Sequence, residues 1–194
     1  GFDSVWLQPV MVPVWVRGKS EQAHLLVNKR LAGGVVQQQQ LPVKILALGG
    51  SVATPSGGIS AEVMEVASLE ALQNLPSEAA KGKIVFINQA FDPRNIHTFE
   101  SYGHCVGNRY NGAREAAAKG AVAVLVRSLT HALDTFPHTG VMSYGDATVR
   151  IPAAAISTWH AEQLSALLRD KQAVRFFMEM HCESKPDTLS YNVV

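Results

Sequence analysis

Gly82-Lys83-Ile84-Val85-Phe86-Ile87-Asn88 and Gly112-Ala113-Arg114-Glu115-Ala116-Ala117-Ala118-Lys119-Gly120-Ala121-Val122-Ala123-Val124-Leu125-Val126-Arg127-Ser128 are the stretches whose reading decides the fold. Lys83 to Asn88 is an almost unbroken apolar run, as expected of a strand covered on both faces. Tyr110 to Lys119 is rich in alanine and is stopped by Gly120, which reads as a helix ending in a glycine cap. Ala121 to Val126 follows at once as a second buried strand. Strand, helix, strand is therefore the centre of the chain.

Working outward, Ile45 to Leu48 reads as a short strand closed by Gly49-Gly50-Ser51, and Thr54 to Gly58 as a turn punctuated by Pro and Gly. Ala61 to Val66 reads as another strand. Ser68 is placed to cap a helix carrying Leu69, Leu72 and Leu75, with Pro76 just beyond. Two long loops are expected. The first runs from Gln89 to Asn108; the second, Leu129 to Val149, holds Phe136-Pro137-His138-Thr139-Gly140 and Tyr144-Gly145-Asp146. Ile151 to Ile156 is expected to be a peripheral strand because it contains Pro152. Ser157 then caps a helix with Ala161, Leu164, Leu167 and Leu168 on one stripe. The last strand sets Val174, Phe176, Met178 and Met180 on one face.

Toward the ends, Val5 to Val16 carries Pro9 and Pro13 and reads as an edge strand or extended connector. Gly33-Gly34 breaks the pattern, and Gln37 to Gln40 reads as a polar loop or edge. Pro186-Asp187 is expected to leave as an exit linker. The sum is about seven strands and three helices, an α+β layout around a mostly β core.

Composition narrows the function classes. In 194 residues, Lys plus Arg is 17 and Asp plus Glu is 16, a formal charge of +1. This balance points to neither a nucleic-acid groove nor a polybasic membrane patch. Hydrophobic residues make up 47% and charged residues 17%, enough to bury a core on a surface poor in charge. No apolar run approaches the roughly 20 residues of a membrane helix. The two cysteines, Cys105 and Cys182, leave two readings open: separate buried thiols, or one bridge in an oxidising compartment. The chain starts at Gly1 and ends on Tyr191-Asn192-Val193-Val194, so both ends are expected to continue in something longer.

No complete catalytic constellation is present. The seven histidines show no metal spacing, Gly49-Gly50-Ser51 lacks the context of a phosphate loop, and no G-x-S-x-G elbow occurs. Asp92, Asp134 and Asp146 lie in separate loops. His138 stands apart because Pro137 and Thr139-Gly140 present it in a loop, as a ligand contact would be presented. An autonomous small hydrolase, using His138 with Asp134 or Asp146, is the rival reading from a different class.

The central motifs, together with Gln8-Pro9-Val10, Trp15-Val16-Arg17-Gly18, Phe136 to Gly140, Ile151-Pro152-Ala153, Pro186-Asp187 and Ser190 to Val194, resemble a protease-associated (PA) domain. More narrowly, the ordered set resembles the PA insertion of the zinc exopeptidases that include plasma glutamate carboxypeptidase and bacterial aminopeptidases. The resemblance covers essentially the whole chain. It implies a swivelling β/β/α fold, a small β-barrel or sandwich flanked by about three helices. It implies residues 1–40 as a connector from the parent catalytic domain, 41–185 as the PA domain, and 186–194 as a linker into the absent catalytic part. It implies no catalytic residue and no metal ligand in this chain, with zinc in the absent part. The partners implied are that catalytic domain and a peptide substrate at the lid edge, in a secreted or periplasmic enzyme. His138, Thr139 and Tyr144 are the candidates for shaping the substrate entrance.

Overall fold

A computed structural model describes residues 3–30, 36–170 and 174–194. Its centre is a parallel run of strands: β5 (Ile59–Val66), β6 (Ile84–Ile87), β7 (Ala123–Arg127) and β8 (Ala153–Ile156) lie side by side in that order. Antiparallel strands extend it on both sides. β4 (Ile45–Ala47) pairs with β8, and β9 (Val174–Glu179) pairs with β5. β2 (Gln22–Arg30) and β3 (Val36–Pro42) follow outside β9, giving the eight-stranded order β3-β2-β9-β5-β6-β7-β8-β4. The mixed sheet curls into a half-barrel, and the described residues form three α-helices: α1 (Leu69–Gln73), α2 (Thr98–Ala118) and α3 (Thr158–Arg169). This is the α+β fold of PA type expected from the sequence.

The period-two alternation of the central strands explains the layering. Ile84, Phe86, Ala123, Leu125, Ala154 and Ile156 point into one core, with Ala161 and Leu164 of α3 and Phe176 and Met178 of β9. Their neighbours Val85, Ile87, Val124, Val126, Ala153 and Ala155 point the other way, onto Leu72 of α1 and Ala113 and Ala116 of α2. A sheet covered on both faces needs apolar residues at every position, and β6, β7 and β8 are buried throughout.

Ser68 and Ser157 cap their helices as expected, each hydroxyl accepting a backbone N–H from the first turn. Gly120 ends α2 with φ +84°. Other expectations are corrected. α2 begins at Thr98, so much of the first expected loop is helix. β8 is interior, because Pro152 lies just before it and offers only its carbonyl, to Val124 N–H. Gln37 to Gln40, expected as a polar loop or edge, lie in the exposed edge strand β3, so the edge alternative holds, while Gly33-Gly34 lies outside the described residues. Within 1–40, the stretch expected to be a connector, β2 pairs with β9 and β3 into the main sheet.

β1 (Leu7–Val16) and β10 (Glu183–Val193) form a separate antiparallel ribbon. Pro186-Asp187 sit inside β10, where the register slips opposite Pro13. Such a bulge accommodates a residue without an N–H. Trp15 ties the ribbon to the body, its indole N–H donating to Ser51 O at 2.9 Å.

Candidate functional site

The carboxyl ends of the parallel strands carry the polar residues. Glu65 lies near the end of β5, Asn88 just past β6, Arg127 at the end of β7, and Ser157 just past β8. Asn88 joins them: its Nδ2 donates to Glu65 Oε1 at 2.6 Å, and its Oδ1 accepts from Arg127 Nη1 at 3.0 Å. Arg127 Nη1 also meets Glu162 Oε1 of α3 at 2.7 Å, and Ser165 Oγ donates to Glu65 at 2.8 Å. Arg127 Nε is buried without a partner. The charges in this network are largely committed to one another, which locks three strands to α3.

The second long loop crosses the same edge. His138 donates its backbone N–H to Ser128 Oγ at 2.8 Å, and that buried hydroxyl donates to Ile156 O at 2.8 Å. The imidazole stays exposed, with Nε2 3.9 Å from Asp134 Oδ2, beyond hydrogen-bonding distance. Asp134 is occupied otherwise, its Oδ1 accepting Phe136 N–H at 2.8 Å. Thr139 turns inward and donates from Oγ1 to Ala47 O at 2.8 Å.

Tyr144 is buried. Its hydroxyl donates to Ile151 O at 2.6 Å and accepts from Val52 N–H at 3.1 Å. Burial pushes its pKa up. Of the three entrance candidates, only His138 presents its ring to solvent; Thr139 and Tyr144 brace the loop. The bridge considered between Cys105 and Cys182 is not formed. Both are buried free thiols, and burial raises both pKa values.

Arg109 of α2 carries no signal in the sequence, being a lone arginine between the first expected loop and the expected helix. Its guanidinium stacks over Tyr102, with Cζ 5.4 Å from the ring centroid, and Nη2 donates to the Tyr102 hydroxyl. It also lies against Gly140: a Cβ there would stand 2.6 Å from Cζ. The glycine in Pro137-His138-Thr139-Gly140 was the available clue, since it marks a close approach. Phe99, Phe136 and Val141 lie exposed on these same elements. Among the described residues, no group of three or more His, Cys, Asp or Glu is gathered so as to hold a metal ion, and no helix is long and apolar enough to cross a membrane.

No protein-family model matches the chain. It is 41% identical to carboxypeptidase Q of Xenopus laevis over 192 residues, 99% of this chain and 37% of that protein. A solved peptidase M28 precursor from Shewanella amazonensis is 37% identical, superposes with a TM-score of 0.87, and is matched over 100% of this chain and 41% of its own. The chain is a homologue of one segment of each of these longer proteins. A zinc aminopeptidase from Bacillus subtilis shares the fold at 20% identity and TM-score 0.52, over 98% of this chain and 36% of its own. The chain thus spans little more than a third of the length of the carboxypeptidase Q and M28 relatives. The curled mixed sheet with its three helices is that of a PA-type domain, and the relatives it matches are a carboxypeptidase and a peptidase.

Proposed function

We propose that this chain is the non-catalytic PA domain of a longer zinc-dependent exopeptidase, acting as a lid that shapes substrate access. The observation that carries the reading is the match itself: all of this chain aligns, at 37% identity, with only 41% of the peptidase M28 precursor. An accessory segment of a larger enzyme gives that pattern. The described residues do not fit a zinc site, since they gather no ligand set. The metal belongs, in this reading, to the remainder of the enzyme, where it would supply Lewis-acid chemistry.

The partners are the catalytic part of the same chain and the peptide entering beside it. In open sheets, ligands gather outside the carboxyl ends of parallel strands. That edge here carries the exposed His138 ring and, nearby, Phe136. His138 would meet peptide as a hydrogen-bonding group, not as a metal ligand or general base. Secretion or periplasmic export belongs to the same proposal, as does a choice between amino and carboxyl ends made by the catalytic part.

The test compares the 194-residue chain with the longer enzyme on aminoacyl and dipeptide reporters, with and without zinc. The longer enzyme is expected to turn over in a zinc-dependent way and the chain alone to be inert. Robust turnover by the chain alone would overturn the reading in favour of an autonomous hydrolase.

A further inference from the structure

In an antiparallel ribbon, directly paired residues share a face. Leu7 pairs with Val193, Pro9 with Tyr191, and Met11 with Leu189, so one face of the β1–β10 ribbon is apolar along its length. All six residues are exposed, and the five other than proline are between 52% and 74% accessible. The opposite face pairs Gln8 with Asn192 and Val10 with Ser190. It is the more polar of the two, and Val10 and Ser190 on it are half-buried. This inverts the arrangement water favours, in which the solvated face is polar. A two-stranded ribbon is marginal alone, and a contiguous exposed apolar patch marks an interaction surface.

We propose that this face docks onto the part of the longer exopeptidase chain outside these 194 residues. The proposal rests on the accessory-domain reading above. Two observations select that occupant over a second copy of the domain. The relatives are much longer than the matched segment. Trp6 and Val194 exchange both backbone hydrogen bonds, at 2.9 and 3.0 Å, so chain continuing past Val194 departs beside the Leu7–Val193 pair. A partner tethered at that point has an effective concentration of order millimolar, which a freely diffusing copy does not reach. The chemistry that fits is an apolar layer poor in charge, like the centre of a permanent interface.

Single cysteines placed in the longer enzyme test this: Met11→Cys and Leu189→Cys on the apolar face, Gln8→Cys and Asn192→Cys, both exposed, on the other. The native thiols Cys105 and Cys182 are buried. Under native conditions a maleimide is expected to label positions 11 and 189 about tenfold or more slowly than positions 8 and 192, because reaction there needs local opening. Equal rates on the two faces would overturn the proposal. So would protection that fades on dilution and gives crosslinks between copies, which would assign the face to a second molecule. The labelling needs no turnover, so failure of this docking face and failure of the peptidase reading give separate results.

Discussion

Asn88 is one residue past β6, and it satisfies a carboxylate on one strand and a guanidinium on the next. Removing one member of such a network leaves the others short of partners, which costs more than the bond itself contributes. Asn88→Ala is expected to lower stability by about 1–3 kcal/mol in chemical denaturation; no change would show that water replaces the amide freely. His160 gives a pH-dependent counterpart. It is buried, its Nδ1 lies 2.6 Å from Ser157 Oγ, and burial, with the Lys44 charge as a lesser cause, pushes its pKa down from 6.5. A lowered histidine pKa means the fold prefers the neutral ring. Its contribution is full above pH 6.5 and is lost as pH falls through the folded value. The melting temperature of the native chain is therefore expected to fall more steeply below pH 6.5 than that of His160→Asn. Parallel curves would remove His160 from the account.

At the scale of elements, α2 packs on β6 and β7 through its smallest residues. Gly112 admits the closest contact, since a Cβ there would stand 2.8 Å from Ile87 Cδ1. Ala113 and Ala116 are fully buried, whereas Ala117 is only partly so. Ala116→Leu is expected to overpack this contact and destabilise by about 1–3 kcal/mol, with a clearly smaller effect for Ala117→Leu. Equal melting temperatures for the two variants would place the helix face differently. The second half of α2 was legible because alanines and a terminal glycine agree locally. Its first half was hidden by Gly103, Gly107 and His104, which favour loop, and tertiary packing overrode that preference. β6, β7 and β9 were readable from period and apolarity alone. The β1–β10 ribbon was not, because its register joins residues at opposite ends of the chain. The site follows the same division. His138 was legible as a ring presented by a rigid loop, while the burial of Tyr144 and the seat of Arg109 against Gly140 exist only once α2 and the loop meet.

On the scale of the whole molecule, the fold places its network and its exposed loop at one sheet edge, and an apolar ribbon where further chain would attach. That arrangement suits a module held against a larger body, and it separates two roles that mutation can tell apart. In the proposed reading the ribbon serves attachment and the loop serves access. Contacts made by the loop alone should change how peptides enter without disturbing the metal. The most direct measurement is steady-state kinetics of the longer enzyme carrying His138→Ala, on a panel of peptides, with zinc content determined on the same samples. The account predicts a KM or substrate preference altered by about three- to tenfold, the scale of one lost hydrogen bond, with zinc content intact. Unchanged kinetics across the panel, or loss of activity together with loss of zinc, would contradict it.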